Sequence, residues 1–162
     1  MAVDPLAILF GNAARVKLLR FFLFNPSKEF LFEDISKRAR LVRRTARTEM
    51  TSLEKAGVIK QKTIYIDQEG HKKKVKAIAY TLNKDFPELA ALQTFLFETA
   101  PIDGKNLLKH LRTAGTLDFV GISGVFVRDF EQRLDVLLAM KKFSQTKIEK
   151  AIRSLEAEIG IE

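Results

Sequence analysis

The strongest constraint on this chain is a change of hydrophobic period at Gly57. Before it, Ala46, Met50 and Leu53 recur at i, i+4 and i+7, one face of an α-helix, and predict a helix over 43–56. Gly57 then stands just past the helix end, where a left-handed residue is favoured. After it, 58–66 is rich in β-branched residues, Asp67-Gln68-Glu69-Gly70 reads as a turn, and 75–82 is extended again. A chain that switches from period 3.6 to period 2 at one glycine is committed to a helix followed by a hairpin.

Upstream, Asp4-Pro5 caps and opens a short helix over 5–10, Gly11 breaks it and Asn12 caps the next. That next helix, 13–24, carries Val16, Leu18, Leu19, Phe22 and Leu23 and ends before Asn25-Pro26. Phe21 and Phe24 widen its apolar surface beyond one face, as expected of a helix buried on two sides. Phe30-Leu31-Phe32 is extended, and 33–38 is a short helix anchored by Ile35. Helix, helix, helix and hairpin in that order is a winged helix-turn-helix layout. Beyond the Asn83 to Pro87 linker, helices are expected over 88–99, 105–113 and 146–159, with strand-like stretches at 117–127 and 134–140.

Charge is unevenly divided. Residues 1–86 hold 18 Lys and Arg against 9 Asp and Glu, whereas residues 87–162 hold 10 against 11. One half is basic enough to meet a polyanion, although a solvated basic surface would look the same. There is no cysteine, and two histidines are too few for a usual histidine metal site, so no metal or other cofactor is expected. Leu6 to Phe10 is too short for a signal core, and no apolar run approaches the roughly 20 residues of a membrane span. A cytoplasmic protein is expected.

The helix over 43–56 carries the functional argument. With Ala46, Met50 and Leu53 inward, Arg44, Arg47, Thr48, Thr51 and Lys55 turn outward, and Glu49 and Glu54 are expected on the flanks. A face of guanidinium forks and hydroxyls without a carboxylate fits the DNA major groove. Arg44 and Arg47 are the candidates for base edges, and Arg43, Thr48 and Lys55 for phosphates. The hairpin adds His71-Lys72-Lys73-Lys74 at its turn, Lys76 behind it, and Lys60 and Lys62 on the opposing strand. Lys72, Lys73 and Lys74 are candidates for a flanking phosphate or minor groove, or form a lysine edge that deters sheet aggregation.

Three stretches resemble ArsR/MarR-type winged-helix regulators: Arg15-Val16-Lys17-Leu18-Leu19-Arg20, Phe32-Glu33-Asp34-Ile35-Ser36-Lys37-Arg38, and Met50 followed by Leu53-Glu54-Lys55-Ala56-Gly57-Val58-Ile59. The resemblance covers roughly residues 13–86. Where the family has a small residue or glycine in the turn, this chain has Arg40, and where it has a serine-like cap, Val42. The resemblance implies a homodimer built on 13–24 and 88–99 that reads two half-sites of double-stranded DNA about one helical turn apart.

Residues 105–162 resemble a minimal nucleotidyltransferase domain, through the run Leu117 to Arg128 and then Arg133-Leu134-Asp135-Val136-Leu137-Leu138. That family binds nucleotide phosphates on a Gly-Ser pair and metal ions on an Asp-x-Asp pair. Here Gly124 is followed by Val125, Arg133 replaces the first acid and leaves Asp135 alone, and no strand is expected after the final helix to bring a third carboxylate. Gly124 and Asp135 are therefore expected to form a vestigial site without catalysis.

The expected fold class is α+β, a winged helix-turn-helix followed by a small α/β nucleotidyltransferase-like domain. Its boundaries are 1–86 for DNA binding, 87–104 for a linker and dimerisation helix, and 105–162 for the degenerate domain. The expected function is a DNA-binding transcriptional regulator. The alternatives are an active or nucleotide-binding nucleotidyltransferase, and a module that binds a partner protein.

Overall fold

The structure is a computed structural model that describes residues 4–67, 74–99, 104–127 and 134–160. It is a mixture of helices and small antiparallel sheets, so the α+β class holds. The chain divides into two compact units, residues 1–99 with 157–162, and residues 100–156.

The first unit opens with α1 (Pro5–Leu9) and α2 (Ala13–Leu23). Both starts are capped as their sequences dictate: Asp4 Oδ1 accepts from the Leu6 amide at 3.0 Å and Asn12 Oδ1 from the Ala14 amide at 2.8 Å. Strand β1 (Phe30–Leu31), α3 (Phe32–Arg38) and α4 (Arg43–Lys55) follow, then the hairpin of β2 (Ile59–Ile66) and β3 (Val75–Leu82). The sheet order is β1-β3-β2, all antiparallel, with Phe30 opposite Tyr80 and with Ile59 to Ile66 paired in register with Leu82 to Val75. Gly57 has φ +80, and the amides of Gly57 and Val58 return to the carbonyls of Glu54 and Leu53 at 3.0 Å each, the paired bonds that close a helix through a left-handed residue.

Helix α2 is the core of this unit. Val16, Leu18, Leu19, Phe21, Phe22 and Leu23 are all buried, in one cluster with Phe30, Ile35, Met50, Leu53, Val58, Ile59 and Leu82. Helix α5 (Leu89–Glu98) belongs to the same unit, with Leu96 fully buried in that cluster and the Phe97 ring stacked on Phe24 at 4.3 Å. The expected boundary at residue 86 therefore differs from the observed division, which keeps α5 with the first unit through Leu96 and Phe97. Buried Arg20 ties the ends together, donating from Nη1 to Asp4 Oδ2 at 2.9 Å and from Nη2 to the Thr99 carbonyl at 3.3 Å. Buried Asn25 donates to the carbonyls of Phe21 and Gly160, both at 2.8 Å.

The second unit contains α6 (Gly104–Arg112), β4 (Thr116–Ile122), β5 (Val136–Lys141) and most of α7 (Gln145–Ile159). Its buried side chains include Leu107, Leu111, Ala114, Ala151 and Leu155. The strands pair antiparallel, with a bulge between Leu117 and Phe119. The strand expected over 117–127 stops at Ile122, because Gly124 takes φ +53 and starts a short 3-10 turn, Gly124–Val127.

Candidate nucleic-acid interface

Helix α4 is positioned from its buried side. Ala46, Met50 and Leu53 are 0%, 2% and 4% exposed, so the predicted inward face is the observed one. Glu49 departs from its expected place on the flank, being buried at 5% exposure. Its Oε1 accepts from Asn12 Nδ2 and its Oε2 from Arg15 Nε, both at 2.8 Å. Arg15 also donates from Nη1 to the Phe10 carbonyl at 3.2 Å. The signal was in the spacing. Glu49 lies three residues after Ala46 and four before Leu53, on the inward stripe, and a carboxylate there requires a partner. Glu54 is half-buried and accepts from Gln61 Nε2 at 3.1 Å.

The outward residues are where the helical period puts them. Arg43, Arg44, Arg47, Thr48, Thr51 and Lys55 are all exposed. Their states differ in ways no periodicity reveals. Arg43 forms an ion pair with Glu33 of α3. The Arg47 guanidinium carbon sits 5.0 Å from the centroid of the Phe32 ring, a cation–π seat that pre-orients it. The Thr48 hydroxyl donates to the Arg44 carbonyl at 3.1 Å and the Thr51 hydroxyl to the Arg47 carbonyl at 2.9 Å, so each turns its lone pairs outward as an acceptor. Among the described residues, Arg44 and Lys55 have no side-chain partner, which leaves their donors available.

The turn before α4 is made by a left-handed residue. Arg40 has φ +51, the left-handed conformation glycine adopts most easily, so an exposed arginine holds the position that the resemblance gives to a small residue. Val42, the residue before α4, makes no side-chain cap bond and is 73% exposed.

The hairpin presents one face toward α4, fixed by the Gln61–Glu54 bond. That face carries Gln61, Thr63 and Tyr65 opposite Tyr80, Ile78 and Lys76. Tyr65 and Ile78 are 67% and 55% exposed, an apolar pair that sequence reasoning did not single out because alternation alone does not say where the core beneath a sheet ends. On the other face Lys60 pairs with Asp85 at 3.3 Å and Lys62 with Glu29. Lys74 is exposed, its Nζ 3.9 Å from Asp67 Oδ2. Lys72 and Lys73 lie outside the described residues.

In the second unit, Gly124 and Asp135 are brought together. The Ser123 amide donates to the Asp135 carbonyl at 2.8 Å, and a Cβ on Gly124 would lie 1.9 Å from Asp135 Oδ1. A groove of about 490 Å³ is lined by Asp118, Leu138, Met140, Lys141, Phe143 and Ile148, its two charges paired at 3.1 Å. Among the described residues no group of three or more acidic or histidine side chains could hold a metal ion, and no helix is long and apolar enough to cross a membrane. No protein-family model, curated protein or solved structure matches this chain.

Proposed function

We propose that this protein binds double-stranded DNA as a winged helix-turn-helix transcriptional regulator, with α4 in the major groove and the β2–β3 hairpin on flanking DNA. The observation that carries this reading is the outward face of α4: Arg44, Arg47, Thr48, Thr51 and Lys55 are exposed together, with no carboxylate among them. Arg44 and Arg47 reach base edges, where a guanidinium grips the two acceptors of guanine. Lys55 contacts a phosphate, Thr48 does so by turning its hydroxyl proton from the Arg44 carbonyl to the phosphate, and Arg43, paired with Glu33, contributes less than its charge implies. Lys74 and Lys76 extend the basic surface along the hairpin.

The protein acts as a homodimer in this reading. Because α2 spends its phenylalanines inside the first unit, the surface left for a second copy is that of α1 and α5, where Ile8, Leu9 and Phe95 are 73%, 69% and 39% exposed. The second unit is a nucleotidyltransferase-like remnant without catalysis, its glycine turn taken by Asp135. It offers a partner protein the apolar sheet face of Phe119 and Leu137, each 55% exposed.

The test is binding to random and genomic duplex DNA over a salt series, for wild type and for Arg44→Ala/Arg47→Ala. Wild type is expected to enrich one sequence and to weaken with salt at a slope of about −0.9 per phosphate contact. The double variant is expected to lose the selection. Equal binding by the two proteins, or none by either, refutes the reading.

A further inference from the structure

Among the described residues, the surface around the start of α4 carries one large apolar side chain that folding does not use. Val42 is the N-cap residue, with φ −62 and ψ 133, and its carbonyl accepts from the Ala46 amide at 2.9 Å, so its backbone starts the helix. Its side chain is not. Serine, threonine, aspartate or asparagine there would satisfy one of the orphan amides of the first turn, and valine cannot. Nor does valine anchor the turn, because Leu41 already packs against the core while Val42 stays 73% exposed. Its chain neighbours are cationic, Arg40 before it and Arg43 and Arg44 after it. An isolated apolar side chain has been placed in a surface otherwise built for an anion, at the end of the helix that enters a groove first.

We propose that Val42 is a specificity-determining residue that packs on the C5-methyl group of a pyrimidine in the major groove, beside the guanine held by Arg44. This rests on the reading that α4 binds duplex DNA. With Arg43 paired to Glu33, Val42 and Arg44 are the exposed side chains at the very start of α4 left to meet bases, one turn before Arg47. In the major groove the apolar feature that distinguishes one base from the other three is the thymine C5-methyl. Thymine supplies that methyl in ordinary DNA and 5-methylcytosine supplies it in modified DNA. The bound sequence then contains a methylated pyrimidine adjacent to a guanine, and part of its recognition is insensitive to salt.

The experiment starts from the sequence that wild type enriches out of unmodified random duplex. Each thymine in it is replaced by deoxyuridine, which deletes the methyl group alone. At one thymine next to an Arg44-dependent guanine, wild type is expected to lose about fourfold in affinity, the worth of one buried methyl. Val42→Ser is expected to bind the thymine and deoxyuridine duplexes equally. Serine supplies the missing cap, so this variant is also expected to melt about 4 °C higher, which separates lost recognition from lost fold. If no thymine matters but methylating a cytosine strengthens binding, and only when Val42 is present, the methyl contact stands with the modified base as its source. Indifference to every pyrimidine methyl, or the same sensitivity in Val42→Ser, overturns the proposal. Should Arg44 and Arg47 still govern selection in that case, the DNA-binding reading survives and only the role of Val42 falls. If wild type binds no duplex at all, both fall together.

Discussion

Replacing Glu49 by alanine removes the carboxylate that holds α4 to the start of α2. The cost follows from its two bonds. The Asn12 amide donates to a charged, buried acceptor at 2.8 Å, an interaction that contributes about 1.5–2 kcal/mol. The Arg15 bond has the same length, but the Arg15 side chain is 36% exposed, and solvent screening reduces its share to about 1 kcal/mol or less. Asn12 keeps its cap bond to the Ala14 amide through Oδ1, so α2 itself is not uncapped. The expected loss is about 2–3 kcal/mol, or a melting point lowered by roughly 10 °C for a unit of this size. Glu49→Gln, which retains an acceptor for Asn12 but replaces the oxygen that accepts from Arg15 with an amide donor, is expected to cost about 1 kcal/mol. Denaturant unfolding of both variants, with Asn12→Ala completing a double-mutant cycle, measures these terms. A loss below about 0.5 kcal/mol for Glu49→Ala, or a coupling to Asn12 indistinguishable from zero, refutes the view that this buried carboxylate fixes the helix.

Two further outcomes concern backbone positions. Gly57→Ala places a side chain on a residue with φ +80 and is expected to destabilise the first unit by about 1–2 kcal/mol, read as a lower denaturant midpoint at unchanged slope. Gly124→Ala adds a left-handed strain at φ +53 to a clash with the Asp135 carboxylate, so it is expected to cost about 2 kcal/mol. Combining it with Asp135→Ala should recover part of that loss, and strict additivity of the two would show that the carboxylate does not occupy the glycine turn.

The α4–hairpin region was legible because its determinants are local. The inward stripe of Ala46, Met50 and Leu53, the left-handed Gly57 and the extended run 75–82 depend on neighbours a few residues away, and each recurs in the structure. The strand expected over 117–127 was less secure for the same reason. A short apolar run does not encode where pairing ends, and the end came at Gly124, which takes a left-handed conformation and starts a 3-10 turn.

The outward set on α4 was likewise a matter of helical period, so its residues could be named from sequence alone. Their individual states could not. Glu33 reaches Arg43 from ten residues away, Phe32 lies beneath Arg47, and Asn12 lies 37 residues from Glu49. Partners brought together by the packing of α2, α3 and α4 leave no periodic trace in the sequence. By itself the sequence determined which residues face outward, because helix geometry turns each residue by a constant angle. Only the tertiary structure decided which outward charges are engaged and which apolar surfaces stay open, because burial and pairing belong to side chains meeting across elements.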